Sequence, residues 1–351
     1  MRRVEIEEGV LEDLEAFGLT SLEAKTYVTL LTFGEATISM LARSMGLHAA
    51  QLYGTLEKLV QKGFVIEQPG RPKVYRAVPP RSALNRVIRD LIERKKRLVS
   101  VLSDLLRHQS KLTTPPIWLV KGDRNILETM QELIEGAKTD VLLSIRHQLL
   151  PGVLQSLKSA REKGVEVFIL LSPRDVPANV LKNATEAGRV RLGRHGDLVL
   201  ITDMSKCLYI QHAMLSSAGL RNYALLTEEP SLVDLFMHNF ERQWSIAKPI
   251  NDYPDPEKPH TYACHRLALA DIKALLQQGY EVYAEVEGIK PKTREKCRVE
   301  GRVLEVTMDQ EEGIYNFLLE TKEGAKLRVG GFDAYIEDVA AYVIKIRAKK
   351  A

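Results

Sequence analysis

Cysteine is scarce: three residues in 351, at 207, 264 and 297. That number and wide spacing exclude a disulfide framework, and the lack of any CxxC pair argues against a zinc ribbon. A reducing cytosol is the expected compartment. No apolar run is long enough to span a bilayer, and the opening MRRVEIEEGVLEDLEAF is too acidic for a signal peptide. Internal repeats and low-complexity segments are missing as well. So are the common catalytic signatures: no GxxxxGK[ST] loop, no GxGxxG after a strand, no GxSxG elbow. The eight histidines form no HxxxH, HExxH or HxK pattern. His195-Gly196-Asp197 reads as a turn, and His147 and His212 as local hydrogen-bonding residues. The sequence therefore offers no catalytic residue, no metal site and no cofactor site.

What is present is an uneven charge. The net charge is +4, with 45% hydrophobic and 27% charged residues, an ordinary soluble composition. Residues 1–36 hold 3 Lys/Arg against 8 Asp/Glu, residues 37–111 hold 15 against 5, and residues 112–351 hold 32 against 33. The positive excess sits on one stretch, the footprint of a nucleic-acid-binding module attached to a neutral remainder.

Within that stretch, Thr37–Ala77 reads as two helices, a tight turn and a β-hairpin. Thr37 caps a helix with Ile38, Leu41, Ala42 and Met45 on one face, and Gly46 ends it. The next helix turns Leu52, Leu56 and Leu59 inward and stops at Gly63. Phe64–Gln68 and Lys73–Ala77 are strand-like, joined by Pro69-Gly70-Arg71-Pro72. That order is a winged helix-turn-helix. An earlier helix, opened by the capping box Thr20-Ser21-Leu22-Glu23, turns Ala24, Tyr27 and Leu31 inward and closes at Gly34. The face opposite Leu52 and Leu56 carries Ala50, Gln51, Gly54 and Lys58; small residues allow close approach to a groove, and Gln can pair with an adenine edge. Gly54 costs about 1 kcal/mol against Ala in a helix, which fits a close-approach role. The hairpin's Arg71, Lys73 and Arg76 suit phosphates. A competing reading makes this a helical hairpin inside a larger core, with Gly54 at a helix crossing.

After Pro79-Pro80 a long helix places Leu84, Ile88, Leu91, Lys95, Leu98, Leu102, Leu105, Gln109 and Leu112 at alternating steps of four and three, a coiled-coil seam. Dimerisation through its leucines and Ile88 would pair two winged helices on two half-sites. The alternative is a helix packed in the next domain's core. Thr113-Thr114-Pro115-Pro116 marks the next break. Ile117–Val120, Val141–Ile145 and Val165–Leu171 then read as buried strands, with helices at Asn125–Glu135 and Pro151–Lys163, a βαβαβ pattern with a parallel sheet. A hairpin over Leu198–Gln211, a strand at Tyr223–Thr227 and a helix at Pro230–Ile246 follow. A proline-rich linker leads to a last region, with a helix near Leu267–Gln278 and five alternating strands ending at Ile346, read as a small antiparallel barrel or sandwich. The expected domains are 1–80, 81–113, 114–248 and 260–351.

The order, together with LTSLEAKTYVTLL, GLHAAQLYGTLEKLVQKGFV, GYEVYAEVEG, EGRVLEV and LRVGGFDAYIEDVAAYVI, resembles the TrmB family of archaeal sugar-responsive transcriptional regulators over nearly the whole chain. The resemblance implies a multidomain α+β chain: a winged helix-turn-helix, a coiled-coil helix, a non-catalytic phospholipase-D-like α/β domain and a small antiparallel β domain. It implies a dimer on a double-stranded DNA operator, with His48, Ala50, Gln51, Tyr53, Gly54, Lys58, Arg71, Lys73 and Arg76 as candidate DNA contacts. It also implies a maltose-like di- or oligosaccharide effector bound by Asn316, Gly331 and Glu337, with a further contact from the middle domain. A carboxylate accepts from sugar hydroxyls, Asn both donates and accepts, and Gly admits close approach. The plainer reading makes Gly330-Gly331 a hairpin turn and Glu337 a surface charge. Two other classes compete: a phospholipase-D-like phosphodiesterase with a DNA-targeting arm, which would need the missing HxK pair, and an architectural DNA-coating protein.

Overall fold

Thr20 opens the helix that begins at Ser21. In the computed structural model its hydroxyl accepts the Glu23 amide at 3.3 Å, and the Glu23 carboxylate accepts the Thr20 amide at 2.8 Å. The structure describes residues 8–107 and 117–350, apart from 174, 195, 213, 214, 217, 218, 221, 222, 252 and 310. His195, Gln109, Leu112 and the break at 113–116 fall outside those residues. The chain divides into two compact units, Met1–Lys111 and Leu112–Ala351.

The first unit runs α1 (Glu8–Ala16), α2 (Ser21–Phe33), β1 (Glu35–Thr37), α3 (Ile38–Met45), α4 (Ala49–Gln61), β2 (Val65–Gln68), β3 (Val74–Ala77) and α5 (Pro80–Arg107). Thr37 caps α3, accepting the Met40 amide, and Gly46 leaves it at φ 66°, a left-handed turn that a Cβ would strain. Leu41, Leu52, Leu56 and Leu59 meet Tyr27 and Phe64 in one core. Tyr27 packs edge-on against Phe64 and donates its hydroxyl to the Val78 carbonyl at 2.7 Å, tying α2 to the end of the hairpin. The hairpin gains a third strand that the sequence reading missed: β1 pairs antiparallel with β3, in the order β1-β3-β2. Three residues are too few to show a period.

Two expectations for this unit change. Leu31 is exposed at 38%, whereas Leu30 is fully buried; the inner face follows the step of three from Tyr27, not the step of four. The reading of Gly54 at a helix crossing also fails, because a Cβ built there meets nothing within 4 Å. Helix α5 spans 28 residues, about 42 Å at about 1.5 Å per residue. Leu84 and Val87 pack on the winged-helix core, so Leu84 is already engaged within the chain. Beyond them Ile88, Leu91, Ile92, Leu98, Val99 and Leu102 stand exposed. At Leu105 only the helical backbone is described.

The second unit opens with β4 (Ile117–Lys121), α6 (Asp123–Gly136), β5 (Asp140–Arg146), α7 (Leu154–Glu162), β6 (Glu166–Ser172), α8 (Ala178–Ala187), β7 (Arg189–Leu192), β8 (Leu198–Thr202), β9 (Lys206–Ile210), β10 (Leu215–Ser216), β11 (Gly219–Leu220), β12 (Tyr223–Thr227), α9 (Pro230–Ile246) and β13 (Lys248–Pro249). Eight strands form one mixed sheet in the order β13-β7-β6-β5-β8-β9-β12-β4. Strands β5, β6 and β7 are parallel and joined by α7 and α8. The expected βαβαβ is thus shifted by one strand. Strand β4 lies at the far edge, antiparallel to β12, and Ile117, Trp118 and Leu119 are more than half exposed rather than buried. An apolar run alone does not distinguish a central strand from an edge.

The chain continues through β14 (His260–Tyr262), α10 (His265–Gln277), β15 (Tyr280–Ile289), β16 (Lys296–Asp309), β17 (Ile314–Thr321), β18 (Lys326–Gly330) and β19 (Val339–Lys350). Strands β15 to β19 pair as β19-β15-β16-β17-β18, and β18 returns to β19 through a short parallel pairing at Val329 and Gly330. That pairing closes a five-stranded barrel with α10 packed against it. One apolar cluster joins Leu142, Phe168 and Ile201 of the mixed sheet to Val233 and Phe240 of α9, Leu267 and Ile272 of α10, and Val286 and Phe317 of the barrel. Sheet and barrel therefore share a core across the proline-rich stretch.

Candidate functional site

Helix α4 lies with Leu52, Leu56 and Leu59 inward. Its other face is open: His48, Ala50, Gln51, Tyr53, Gly54 and Lys58 are all exposed, as are Arg71, Lys73 and Arg76 on the hairpin. The side chains are not equally available. Gln51 folds back, its Oε1 accepting the His48 amide at 3.2 Å at the start of the helix. Pairing with an adenine edge uses both the oxygen and the nitrogen of a Gln amide, so this cap must open for Gln51 to read a base. Lys73 lies 3.2 Å from Glu67, and Arg76 is paired with Glu35. Exposed pairs of this kind contribute little to stability and are easily exchanged for phosphate. Arg71 has no ion pair among the described residues.

In the second unit, Gly331 and Glu337 line one cavity of about 150 Å³. Its wall joins three parts of the chain: Asp234 and His238 from α9, His265 and Arg266 from α10, and the barrel, with Tyr315 at the start of β17 and Asp333 in the turn after β18. Asn316 is not in that wall. It is buried at 3% exposure behind Glu337, donating from Nδ2 to Glu337 Oε1 at 3.3 Å, while its Oδ1 accepts from Arg328 at 3.4 Å. It orients the carboxylate rather than facing the hollow. Gly330 makes this seat possible, since a Cβ there would come within 3.0 Å of the Glu337 carboxyl carbon. From the middle region, α9 contributes Asp234 and His238 to this wall.

Charges around the cavity interlock. Arg266 reaches Glu241 at 3.3 Å and His238 Nε2 at 2.7 Å, and its guanidinium stacks 3.8 Å over Tyr315. Burial, and then the Asp333 carboxylate, push the Asp234 pKa up from its ordinary range. Burial and the Arg266 charge push His265 down to about 3, so its imidazole is neutral at physiological pH. His265 Nε2 is buried without a hydrogen-bond partner among the described residues. A larger hollow of about 570 Å³ lies on the outer face of the barrel. Its charges bind one another: Arg302 pairs with Glu281 and Glu320, Lys322 with Glu300, and Lys345 with Glu285. Each hollow is lined by a residue with a buried polar atom that has no hydrogen-bond partner among the described residues, His265 Nε2 in the smaller and Thr321 Oγ1 in the larger.

Elsewhere, His212 bonds locally as expected, its amide donating to Asp197 at 2.6 Å. His147 does so only through its backbone, and its Nδ1 is buried without a partner among the described residues. Among those residues no group of three His, Cys, Asp or Glu is placed to hold a metal, and no helix is long and apolar enough to cross a membrane.

A winged helix with an open helix face, followed by an α/β sheet and barrel around a polar cavity, is the architecture of a one-chain DNA-binding regulator. Three models of one family match the chain: the sugar-specific transcriptional regulator TrmB over residues 14–81, the N-terminal subdomain of the TrmB effector-binding domain over 116–251, and the C-terminal subdomain of TrmB and TrmBL1 over 257–349. The chain belongs to the TrmB family of transcriptional regulators. It is 27% identical over 343 residues, 95% of this chain and 97% of the other, to the HTH-type sugar sensing transcriptional regulator TrmBL1 of Pyrococcus furiosus. It is 30% identical over 170 residues, 45% of this chain and 64% of the other, to the DNA-binding HTH-type transcriptional repressor TrmBL2 of Thermococcus kodakarensis. Among solved structures, TrmBL2, described as an archaeal chromatin protein, is similar at a TM-score of 0.39 and 25% identity, covering 70% of this chain and all of that one. As a member of this family, the chain is a transcriptional regulator rather than an enzyme.

Proposed function

We propose that this chain is a dimeric, sugar-responsive regulator that binds double-stranded DNA through α4 and the hairpin and takes a saccharide in the cavity beside Glu337. The observation that carries the reading is the meeting of Gly331 and Glu337 with α9 and α10 side chains around one hollow. At about 150 Å³ it is small against the roughly 300–1,000 Å³ of common ligand sites, and it suits a single sugar ring. The ionised Glu337 accepts hydroxyl protons, and Gly331 admits the ring close to the backbone.

The exposed α5 stripe from Ile88 to Leu102 supports pairing with a second copy as a coiled coil, since a lone helix would leave these side chains in water. The middle region is proposed as a phospholipase-D-like fold used without catalysis, and the cytoplasm as its location. Sugar and DNA couple only if the sugar binds the DNA-competent and incompetent states with different affinities. Operator binding measured with and without a panel of sugars, alongside thermal shifts in the same sugars, tests this. Tight binding to any duplex, unmoved by every sugar, would favour an architectural role instead.

A further inference from the structure

The cavity walls carry more carboxylates than cations. Asp234, Glu312, Asp333 and Glu337 line it, and Arg266 is the one Lys or Arg among its described lining residues. Arg266 is already committed to Glu241, to His238 and to the face of Tyr315. Its contact with His238 also fixes that ring. Nε2 lies 2.7 Å from the Arg266 guanidinium, and Nδ1 lies 2.8 Å from the Asp234 carbonyl and 3.4 Å from its carboxylate. His265 is neutral. Arg266 and His238 act on Asp234 against the opposing charge of Asp333, and four carboxylates line the wall with one guanidinium.

A second, independent feature points to a ligand. His265 is nine-tenths buried and lines the hollow, yet its Nε2 has no partner among the described residues. Gly331 keeps a side chain out of the narrow gap beside it: a Cβ there would lie 3.0 Å from Asp333 Oδ1 and 3.2 Å from His265 Nδ1, tighter than an ordinary contact. A carboxylate and a neutral imidazole thus lie side by side in the wall. A bare metal ion is a poor occupant, since among the described residues no three ligating side chains converge. An organic cation with donors pointing several ways fits better.

We propose that the effector is a saccharide carrying a protonated amine, an amino sugar with free amino groups, whose ammonium is taken by Asp333 and Asp234 and whose adjoining hydroxyl meets His265. This rests on the saccharide reading of the same cavity. An ammonium brings three donors to a wall rich in acceptors, and hydrogen bonds between two charged groups are the strong kind. A neutral sugar would leave Asp234 and Asp333 opposed.

The test is calorimetry on the full chain with three disaccharides: the free-amine glucosamine dimer, its N-acetylated form and maltose. The free-amine dimer is expected to bind about tenfold or more tightly than the other two. Asp333→Asn should weaken it at least about tenfold more than it weakens maltose, because the Asn amide keeps the shape and loses the charge. Maltose or the acetylated dimer binding as tightly as the amine in the wild type would overturn the amine and leave the saccharide site standing. No heat from any of the three, with thermal unfolding still cooperative, would overturn both readings.

Discussion

The two polar surfaces of this chain are built in opposite ways. The open face of α4 and the hairpin is a local product: Ala50 to Arg76 is one short run, its apolar side faces its own core, and its polar side is what remains. The cavity is a product of long-range assembly. Its wall draws on α9, α10 and two barrel turns, so that Asp234 and Glu337 become neighbours only when sheet and barrel share their core. A surface facing water tolerates mixed charges at little cost, and its Lys and Arg stay mobile. A cavity wall does not, and there burial and neighbouring charges move Asp234 and His265 off their ordinary pKa values. Changes on the first surface should therefore be small and additive, whereas changes in the second should be large and coupled.

The largest expected effect lies outside both surfaces. Leu98→Asp and Leu102→Asp together leave a single chain intact, since both side chains are exposed there. In a paired helix each buried carboxylate would cost on the order of several kcal/mol. Sedimentation should show monomers, and affinity for a two-half-site operator should collapse. A double variant that remains dimeric would move the interface elsewhere.

Glu337→Ala comes next. Two lost charge-assisted bonds at about 1.5–3 kcal/mol each should weaken the cognate sugar by roughly 10²-fold or more, and Asn316 loses its acceptor too. Basal operator binding should stay near wild type. Gly331→Val should act alike, its side chain entering the space before Asp333 and His265. Calorimetry beside an operator assay reads both. Normal sugar binding by Glu337→Ala would place the ligand elsewhere.

The frame of the cavity should depend on pH. Asp140 accepts the Ala263 and Cys264 amides at 2.8 and 2.6 Å, just ahead of His265. Burial raises its pKa to about 7. A raised carboxyl stabilises the fold while protonated, and that stability is lost as pH climbs through the folded pKa. Asp140→Asn should therefore gain on the wild type as pH rises from about 4 to about 7. The comparison is of Tm differences, in which the opposing titration of His265 cancels. A difference that is flat with pH would show that Asp140 stays charged.

The smaller effects belong to the DNA face. Arg71→Ala should weaken all duplexes alike and reduce the salt slope by about 0.9. Lys73→Ala should do less, because Glu67 already holds that cation. Gln51→Ala should relax base choice at one position and also cost about 1 kcal/mol of stability through the lost cap. Unchanged specificity would remove Gln51 from the groove. Gly54→Ala should stabilise the winged helix by up to about 1 kcal/mol, since its Cβ meets nothing. If the face approaches DNA as closely as proposed, the same change should lower affinity, and a more stable protein with unaltered affinity would refute that approach.

The sequence by itself determined what lies within a few residues of its cause. The Thr20 capping box, the Thr37 cap, the Gly46 exit and the inward Leu52, Leu56 and Leu59 were legible because caps and helical periods act over three or four positions. The barrel strands were legible through their alternation, and Tyr223–Thr227 and Pro230–Ile246 coincide with β12 and α9. Tertiary structure decided whatever depends on a distant partner. It sent β4 to an exposed edge beside β12, buried Leu30 in place of Leu31, and added the three residues of β1 to the hairpin. It also gathered the cavity. Asp234 and His238 are an ordinary helical pair in sequence, and His265 an ordinary helix start, until the shared core sets them around Gly331 and Glu337. Periodicity tells a side chain which way to face, but only packing supplies what it faces.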